Sequence, residues 1–317
     1  MENKNPSEWY SPKPTLEKVK VQSNWVLTLF SVLVFALSFL FIFSDELDFI
    51  FYLVVVLFLH EMGHFLLMKY FKYEDLRMLF IPLMGAFVQG SKKHYSQKES
   101  FLVIAAGPFP GVIFGIVVLI LANHYQQNWL LEFSFLFLFL NVINLLPIDP
   151  LDGGQLFKLF VRKKRDLFLL VFALLSSLLM ITVGYLIESW VLVVFGFLMS
   201  FKVRSFQRNY HLRQELDIQG VPYELNYEDL SDQAYHELKQ IILAHNPKLK
   251  QLESIHGEAA QELIASHVNA ALSVPTTRDA GSIFKVVLVV SWLLMVLLPV
   301  FLLIGPFFDF TWYFETL

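Results

Sequence analysis

The sequence predicts an all-α polytopic membrane protein of about seven transmembrane helices, with a small membrane-associated β-hairpin and a small cytoplasmic helical domain. Three observations carry that expectation. Of 317 residues, 56% are hydrophobic, 33 are Phe and only 16% are charged, which excludes an ordinary water-soluble globule. The apolar residues are gathered into runs of about twenty, enough to cross a ~30 Å hydrocarbon core. Between residues 204 and 281 that pattern stops, and acidic and polar residues take over. The net charge of −4 gives no basis for a nucleic-acid partner. With no cysteine in the chain, a transition-metal site must draw on His, Asp or Glu.

Residues 1–24 hold three prolines with Lys4, Lys13, Lys18 and Lys20, and read as a mobile, basic, cytoplasmic leader. Trp25–Phe43 is nineteen residues without a charge, too long for a signal-peptide core, and reads as the first span. The acidic turn Ser44–Asp48 leads into a second span, Phe49–Phe71, which exits at Lys69, Lys72 and Arg77. Residues 76–90 are too mixed to cross. Phe80–Val88 predicts two short extended pieces turning near Met84-Gly85, which is the hairpin. A third span, Phe101–Ala122, is broken early by Gly107-Pro108-Phe109-Pro110-Gly111, and a fourth runs from about Trp129 to Ile148.

Lys158, Arg162, Lys163, Lys164 and Arg165 form the strongest basic cluster. Leu167–Ile187 and the short Trp190–Phe201 follow as a tight helical hairpin. In residues 204–281, Tyr235, Leu238, Ile241 and Ile242 recur at helical spacing, as do Leu249, Leu252 and Ile255, then Leu263, Ile264 and Val268. This region reads as a docking or packing module. A last transmembrane helix occupies 282–306, apolar from Val286 to Ile304, and 307–317 form a tail without Lys or Arg. Placing the basic loops inside gives a multi-pass protein of the cell membrane with seven spans. Its N-terminus and residues 204–281 are then cytoplasmic, and its C-terminal tail external.

Inside the second span stands His60-Glu61-Met62-Gly63-His64. Two histidines four apart on a helix share one face, about 40° apart around the axis and about 6 Å along it. That spacing lets two imidazoles hold one Zn²⁺, with Glu61 on the same side as general base. Ionisable groups at membrane depth cost upward of ~2.5 kcal/mol, so three together demand a use. The alternative is a helix that is polar only where it faces protein neighbours. His60 lies eleven residues, about 16 Å, from the start of the run and nine before Lys69, on the cytoplasmic side of the midplane.

A catalytic zinc takes three protein ligands and keeps a position open. The fourth span ends in Asn144-Leu145-Leu146-Pro147-Ile148-Asp149-Pro150-Leu151-Asp152-Gly153-Gly154. Its prolines break the helix and free backbone groups, tolerable at this depth only where they line a cavity or meet protein. Asp149 and Asp152 compete for the third position, and spacing alone leaves the choice open. An Asp beside a membrane exit also serves as a plain interfacial cap.

These segments together resemble the site-2 proteases, intramembrane zinc metalloproteases. Their hallmarks are H-E-x-x-H in one membrane helix and N-x-x-P-x-x-x-L-D-G in a later one. The resemblance spans about Phe49–Gly154, a third of the chain. It implies one Zn²⁺ per chain held by His60, His64 and Asp152 rather than Asp149. It further implies that Asn144 holds substrate or polarises its carbonyl, and that the hairpin at about 76–90 dips into the membrane. With the flanking spans, residues 25–203 are read as a transmembrane catalytic core. The sequence departs from the family at G-P-x-x-N, because Gly107-Pro108-Phe109-Pro110 is followed by Gly111. That puts in question one hydrogen-bonding role near the substrate. No pattern for a PDZ or CBS domain is present.

The reading that results is a zinc-dependent intramembrane endopeptidase with Glu61 and Asn144 in catalytic roles. It would cleave transmembrane segments of other membrane proteins, in regulated proteolysis or remnant clearance. Its partners are the substrate and the lipid bilayer. One rival is a membrane metalloprotease with H-E-x-x-H at the aqueous face and a Glu as third ligand. The other is a non-proteolytic polytopic scaffold or binding protein with an inert zinc site.

Overall fold

The computed structural model describes residues 10–16, 25–41, 47–82, 85–161, 164–308 and 310–314, side chains excepted at 256–259 and 314. The acidic turn at 44–46, the turn residue Met84, the basic pair Arg162-Lys163 and most of the leader lie outside these residues. The chain forms two compact units. One gathers 161–277 with the N-terminal segment and Lys93–Tyr95, and the other holds 20–92, 96–160 and 278–317.

The second of these units carries the site. It contains α1 (Trp25–Leu40), α2 (Leu47–Tyr70), α3 (Gln97–Ala105), α4 (Pro108–Tyr125), α5 (Asn128–Asn144) and α6 (Asp152–Phe160), with α11 (Ser282–Ile304) and α12 (Thr311–Phe314) closing it. Helix α2 begins with Asp48 and ends with Lys69, each complementing the helix dipole at its own end. Helix α3 is capped by the Ser96 hydroxyl, which accepts from the Glu99 amide. The break foreseen at Gly107 separates α3 from α4, with Pro108 at the first turn of α4, where its missing N–H is harmless. Helix α5 stops before Pro147, as residues preceding a proline disfavour the α region.

The hairpin lies close to its expected bounds of about 76–90. Strands β1 (Glu74–Ile81) and β2 (Gly85–Ser91) pair antiparallel, with Met78 opposite Val88 and Phe80 opposite Ala86. Helix α1 covers the outer edge of β1: Thr28 Oγ1 donates to Met78 O at 2.8 Å, and Phe80 N donates to Ser31 Oγ at 3.1 Å. These two hydroxyls satisfy strand groups that a bilayer would leave bare. Phe35, Leu53, Phe65, Met78 and Phe80 form the apolar core between α1, α2 and the hairpin.

The other unit holds α7 (Arg165–Leu186), α8 (Trp190–Gln219), a single 3₁₀ turn at Tyr227–Asp229, α9 (Asp232–His245) and α10 (Pro247–Ala271). Helix α8 is 30 residues long, so Trp190–Phe201 is only its apolar first half. The compositional change at residue 204 therefore falls inside a continuous helix rather than between two elements. Leu212 and Leu216 of α8 pack with Tyr235, Leu238, Ile242, Leu249, Ile264 and Val268. Two residues of the expected apolar stripe do not join them: Ile255 is 63% exposed and Leu263 43%.

The described part of the leader is also packed rather than loose. Lys13 Nζ donates to the carbonyls of Tyr227, Glu228 and Leu230 at 2.7, 2.9 and 2.5 Å, and Lys13 N donates to Asp232 Oδ1 at 2.8 Å. A lysine has three donors, and the end of a 3₁₀ turn offers orphan carbonyls to meet them. Strands β3 (Tyr95–Ser96) and β4 (Thr276–Thr277) pair, with Tyr95 N donating to Pro275 O at 3.1 Å.

Among the described residues, five helical stretches are long and apolar enough to cross a membrane: α2, α3 with α4, α7, α8 and α11. Helices α1 and α5 are apolar but shorter, at 16 and 17 residues.

Candidate metal centre

Helix α2 is apolar around most of its circumference, yet His60, Glu61 and His64 are all buried. Asp152, at the first position of α6, joins the two histidines. His60 Nε2 lies 3.0 Å from Asp152 Oδ2, His64 Nε2 lies 3.2 Å from it, and the two Nε2 atoms are 3.2 Å apart. Among the described residues this is the cluster of three side chains able to hold a metal ion.

The protonation pattern of the cluster follows from its outer hydrogen bonds. His64 Nδ1 is 2.8 Å from the Val103 carbonyl, which can only accept, so that nitrogen carries the proton. His60 Nδ1 is 2.8 Å from Asn141 Oδ1. The Asn141 amide is oriented by its own Nδ2, which donates to Phe137 O at 2.8 Å, so its oxygen faces the histidine and accepts. In its neutral form each imidazole then turns the Nε2 lone pair toward Asp152 Oδ2. Three potential donor atoms thus converge, an arrangement that one cation can satisfy. A tetrahedral zinc with bonds of ~2.1 Å would set its ligand atoms ~3.4 Å apart, close to the observed separations. The donors fit the metal.

Gly107 is what lets the backbone pass this close. A Cβ there would lie 2.4 Å from His64 Nε2 and 2.9 Å from His60 Nε2, so any larger residue would occupy the space the ligands enclose.

Sequence spacing left Asp149 and Asp152 in competition, and the structure separates them. Asp149 is fully buried and accepts from Lys158 Nζ at 2.5 Å, away from the two histidines. Lys158 thereby leaves the basic cluster it belonged to in the sequence. It lies one helical turn and a half after Asp152, and a buried lysine at that place meets a buried carboxylate.

Glu61 and Asn144 line one cavity of about 1270 Å³, whose wall is otherwise mostly apolar and includes Tyr52, Leu57, Ala86 and Leu136. Strand β2 borders it through Gly85 and Ala86, and the Val88 amide hydrogen-bonds the Glu61 carboxylate. Asn144 is half-buried at the last position of α5. Asn141 was not singled out from the sequence. Its signal was an amide one turn before Asn144 in a Phe-rich run, where a lone polar side chain needs a partner.

The sequence profile of Peptidase family M50 matches residues 48–135. These residues are a peptidase family M50 (site-2 protease) domain. The matched stretch of the M50 domain contains His60, Glu61 and His64 and ends before Asn144 and Asp152. Over 114 residues the chain is 32% identical to stage IV sporulation protein FB of Bacillus subtilis, covering 35% of this chain and 40% of that protein. Over 118 residues it is 33% identical to a zinc metalloprotease of Methanocaldococcus jannaschii, covering 35% of this chain and 34% of that one. The similarity thus spans well under half the length of either relative. A solved structure, the site-2 protease from Methanocaldococcus jannaschii, matches with a TM-score of 0.43 and 24% identity over 55% of this chain and 85% of that one.

Proposed function

We propose that the chain is a zinc-dependent intramembrane endopeptidase that cuts transmembrane segments of other membrane proteins, with His60, His64 and Asp152 as ligands. The observation that carries this reading is the convergence of His60 and His64 of α2 with Asp152 of α6, next to the Glu61 carboxylate that lines a mostly apolar cavity. When bound, zinc supplies Lewis acidity to the scissile carbonyl and lowers the pKa of attacking water toward neutrality. Glu61 takes the proton of that water and returns it to the leaving amine. Asn144, on the same cavity wall, holds the substrate peptide or its carbonyl oxygen.

A transmembrane helix satisfies its own backbone, so several of its residues must unwind before a peptide bond can react. The broken hydrogen bonds then need new partners. Helix α1 occupies the outer edge of β1, which leaves the β2 edge at Gly85 and Ala86 bordering the cavity. An extended substrate strand added there would recover its main-chain bonds beside Glu61.

Seven spans with cytoplasmic N-terminus and helical region fit the contacts within one unit. Residues 10–14 meet Tyr227, Asp232 and His236, and Tyr95 meets Pro275 and Thr277. Segments in contact outside the bilayer lie on one side of it, so an even number of crossings separates each pair. Between residues 16 and 93 that number is even only if α1 crosses with α2. Between 96 and 227 it is even only if α5 crosses with the α3–α4 pair, α7 and α8. Counting α1 and α5 with the five longer spans, of which α11 is the last, gives seven crossings in all.

The deciding experiment places full-length protein in liposomes with a model transmembrane substrate. Cleavage that disappears in Glu61→Gln while bound zinc stays at one per chain supports the reading. Equal cleavage by Glu61→Gln overturns it, and no cleavage by a zinc-loaded wild type favours the inert scaffold.

A further inference from the structure

The two imidazoles are held in different ways. His64 leans on the Val103 carbonyl, a main-chain group that no substitution removes. His60 leans on the side chain of Asn141. The Asn141 carboxamide is fully buried and locked by its bond to Phe137 O. Its space is opened by Gly111 on the neighbouring helix. A Cβ at position 111 would lie 2.2 Å from Asn141 Oδ1, 2.4 Å from Cγ and 2.5 Å from Nδ2. The carboxamide of residue 141 therefore sits where a side chain of residue 111 would begin. Position 111 is also where the sequence departs from its family pattern.

We propose that Asn141 is the positioning residue for His60, fixing the tautomer that presents Nε2 to the metal, and that it works from α5 in a seat that α4 leaves empty at Gly111. Two consequences follow from sterics alone. Positions 111 and 141 cannot both carry a carboxamide. A carboxamide starting at 111 begins within one bond length or so of the Asn141 oxygen and can reach His60 Nδ1 in its place. The acceptor is thus transferable between α4 and α5.

This inference rests on the zinc reading above, and its test reads metal affinity rather than cleavage. Full-length protein in detergent is titrated with Zn²⁺ against a competing chelator, and the cobalt-loaded protein gives the ligand-field spectrum of the site. Removing a partner that orients a metal-ligating histidine weakens binding about 10–100-fold. Asn141→Ala is expected to do so, with an altered cobalt spectrum. Asn141→Asp keeps an acceptor oxygen and is expected to stay within several-fold of wild type. Gly111→Asn alone is expected to weaken binding, because two side chains then claim one space. Gly111→Asn combined with Asn141→Ala is expected to bind at least tenfold more tightly than either single variant. Wild-type affinity and spectrum in Asn141→Ala would overturn the proposal, as would a double variant no better than the weaker single one. If Asn141→Ala does not fold, the double variant decides: zinc affinity within tenfold of wild type supports the exchange, and weaker binding overturns it. A wild type that binds no zinc removes the metal reading itself, whereas zinc binding that is equal in every variant removes only the role of Asn141.

Discussion

The core around α2 and the core of α9 and α10 are built from opposite materials. In the first, His60, Glu61, His64, Asn141, Asp149 and Lys158 are buried among Phe and Leu. In the second, the buried residues are Leu, Ile, Val, Ala and two Tyr, with the charges left outside. Burying a polar group costs free energy unless it is paired. The first core is therefore a poor way to gain stability and a good way to fix donor atoms. The second is an ordinary way to hold helices together. Function and stability thus have separate addresses in this chain, and substitutions in each should fail differently.

The largest effects belong to the ligands. His60→Ala or His64→Ala should lose zinc and cleavage together, because two protein ligands seldom retain a catalytic metal. Glu61→Gln should keep zinc and lower cleavage by about 10²–10⁴-fold, the usual share of a general base. Metal analysis beside a cleavage assay separates the two classes, and loss of zinc in Glu61→Gln would blur the comparison.

Next come the two carboxylates of the α5–α6 turn. Asp152→Asn should sharply reduce zinc occupancy. Asp149→Asn should leave most of the zinc in place and instead take the carboxylate charge away from the buried Lys158 ammonium, destabilising by about 3–5 kcal/mol. Replacing both, as Asp149→Asn with Lys158→Met, should recover much of that loss. Thermal unfolding with metal analysis checks the order, and zinc loss on Asp149→Asn would move the third ligand.

The helical region supplies the contrast. Leu238→Ala, at a fully buried position, should destabilise that region by about 2–5 kcal/mol while zinc content stays unchanged. Hydrogen exchange localised to α9 and α10 reads this directly. Loss of zinc in that variant would show that the two cores are not independent.

A smaller effect is expected at the strand edge. Ala86→Pro or Phe87→Pro removes a donor and fixes φ. Each should lower cleavage of a helical substrate several-fold with zinc retained, and helix-breaking residues near the substrate's cut site should raise its rate. Normal cleavage by both variants, without that preference, would make β2 a packing element only.

The smallest effect is a pH response confined to the helical region. Burial, with the Glu253 carboxylate nearby, pushes the Tyr235 phenol up to about 12 from its ordinary 10. The folded region thus favours the neutral phenol. Its stabilising contribution is complete below pH 10 and is lost as pH rises through 12. Tyrosinate absorbance recorded with helix content should show alkaline unfolding of α9 and α10 in that window, and tyrosine ionisation without unfolding would refute it.

Much of this architecture was legible before any fold was known. Apolar runs and their basic exits are local properties, and so is the four-residue spacing that puts His60 and His64 on one helical face. The break at Gly107-Pro108 and the end of α5 before Pro147 are equally local, because proline acts on its own turn. Other features needed three dimensions. The apolar stripe of α10 held Ile255 and Leu263 exposed, since which part of a stripe is covered depends on the partner helix. The length of α8 was hidden because a helix can pass from apolar to polar residues without ending. Asp149 and Asp152 are alike in type and three residues apart, and only the position of Lys158 after the turn sent one to an ion pair and the other to the histidines. Lys13 looked like a solvated charge until the carbonyls of Tyr227, Glu228 and Leu230 came within its reach. The sequence by itself determined that His60 and His64 share one face of an apolar helix, because helical periodicity and hydrophobic length are written residue by residue. Tertiary structure alone decided which side chains meet, because His60 and His64 are hydrogen-bonded through Nδ1 to Asn141 and to the Val103 carbonyl, 81 and 39 residues away in the chain.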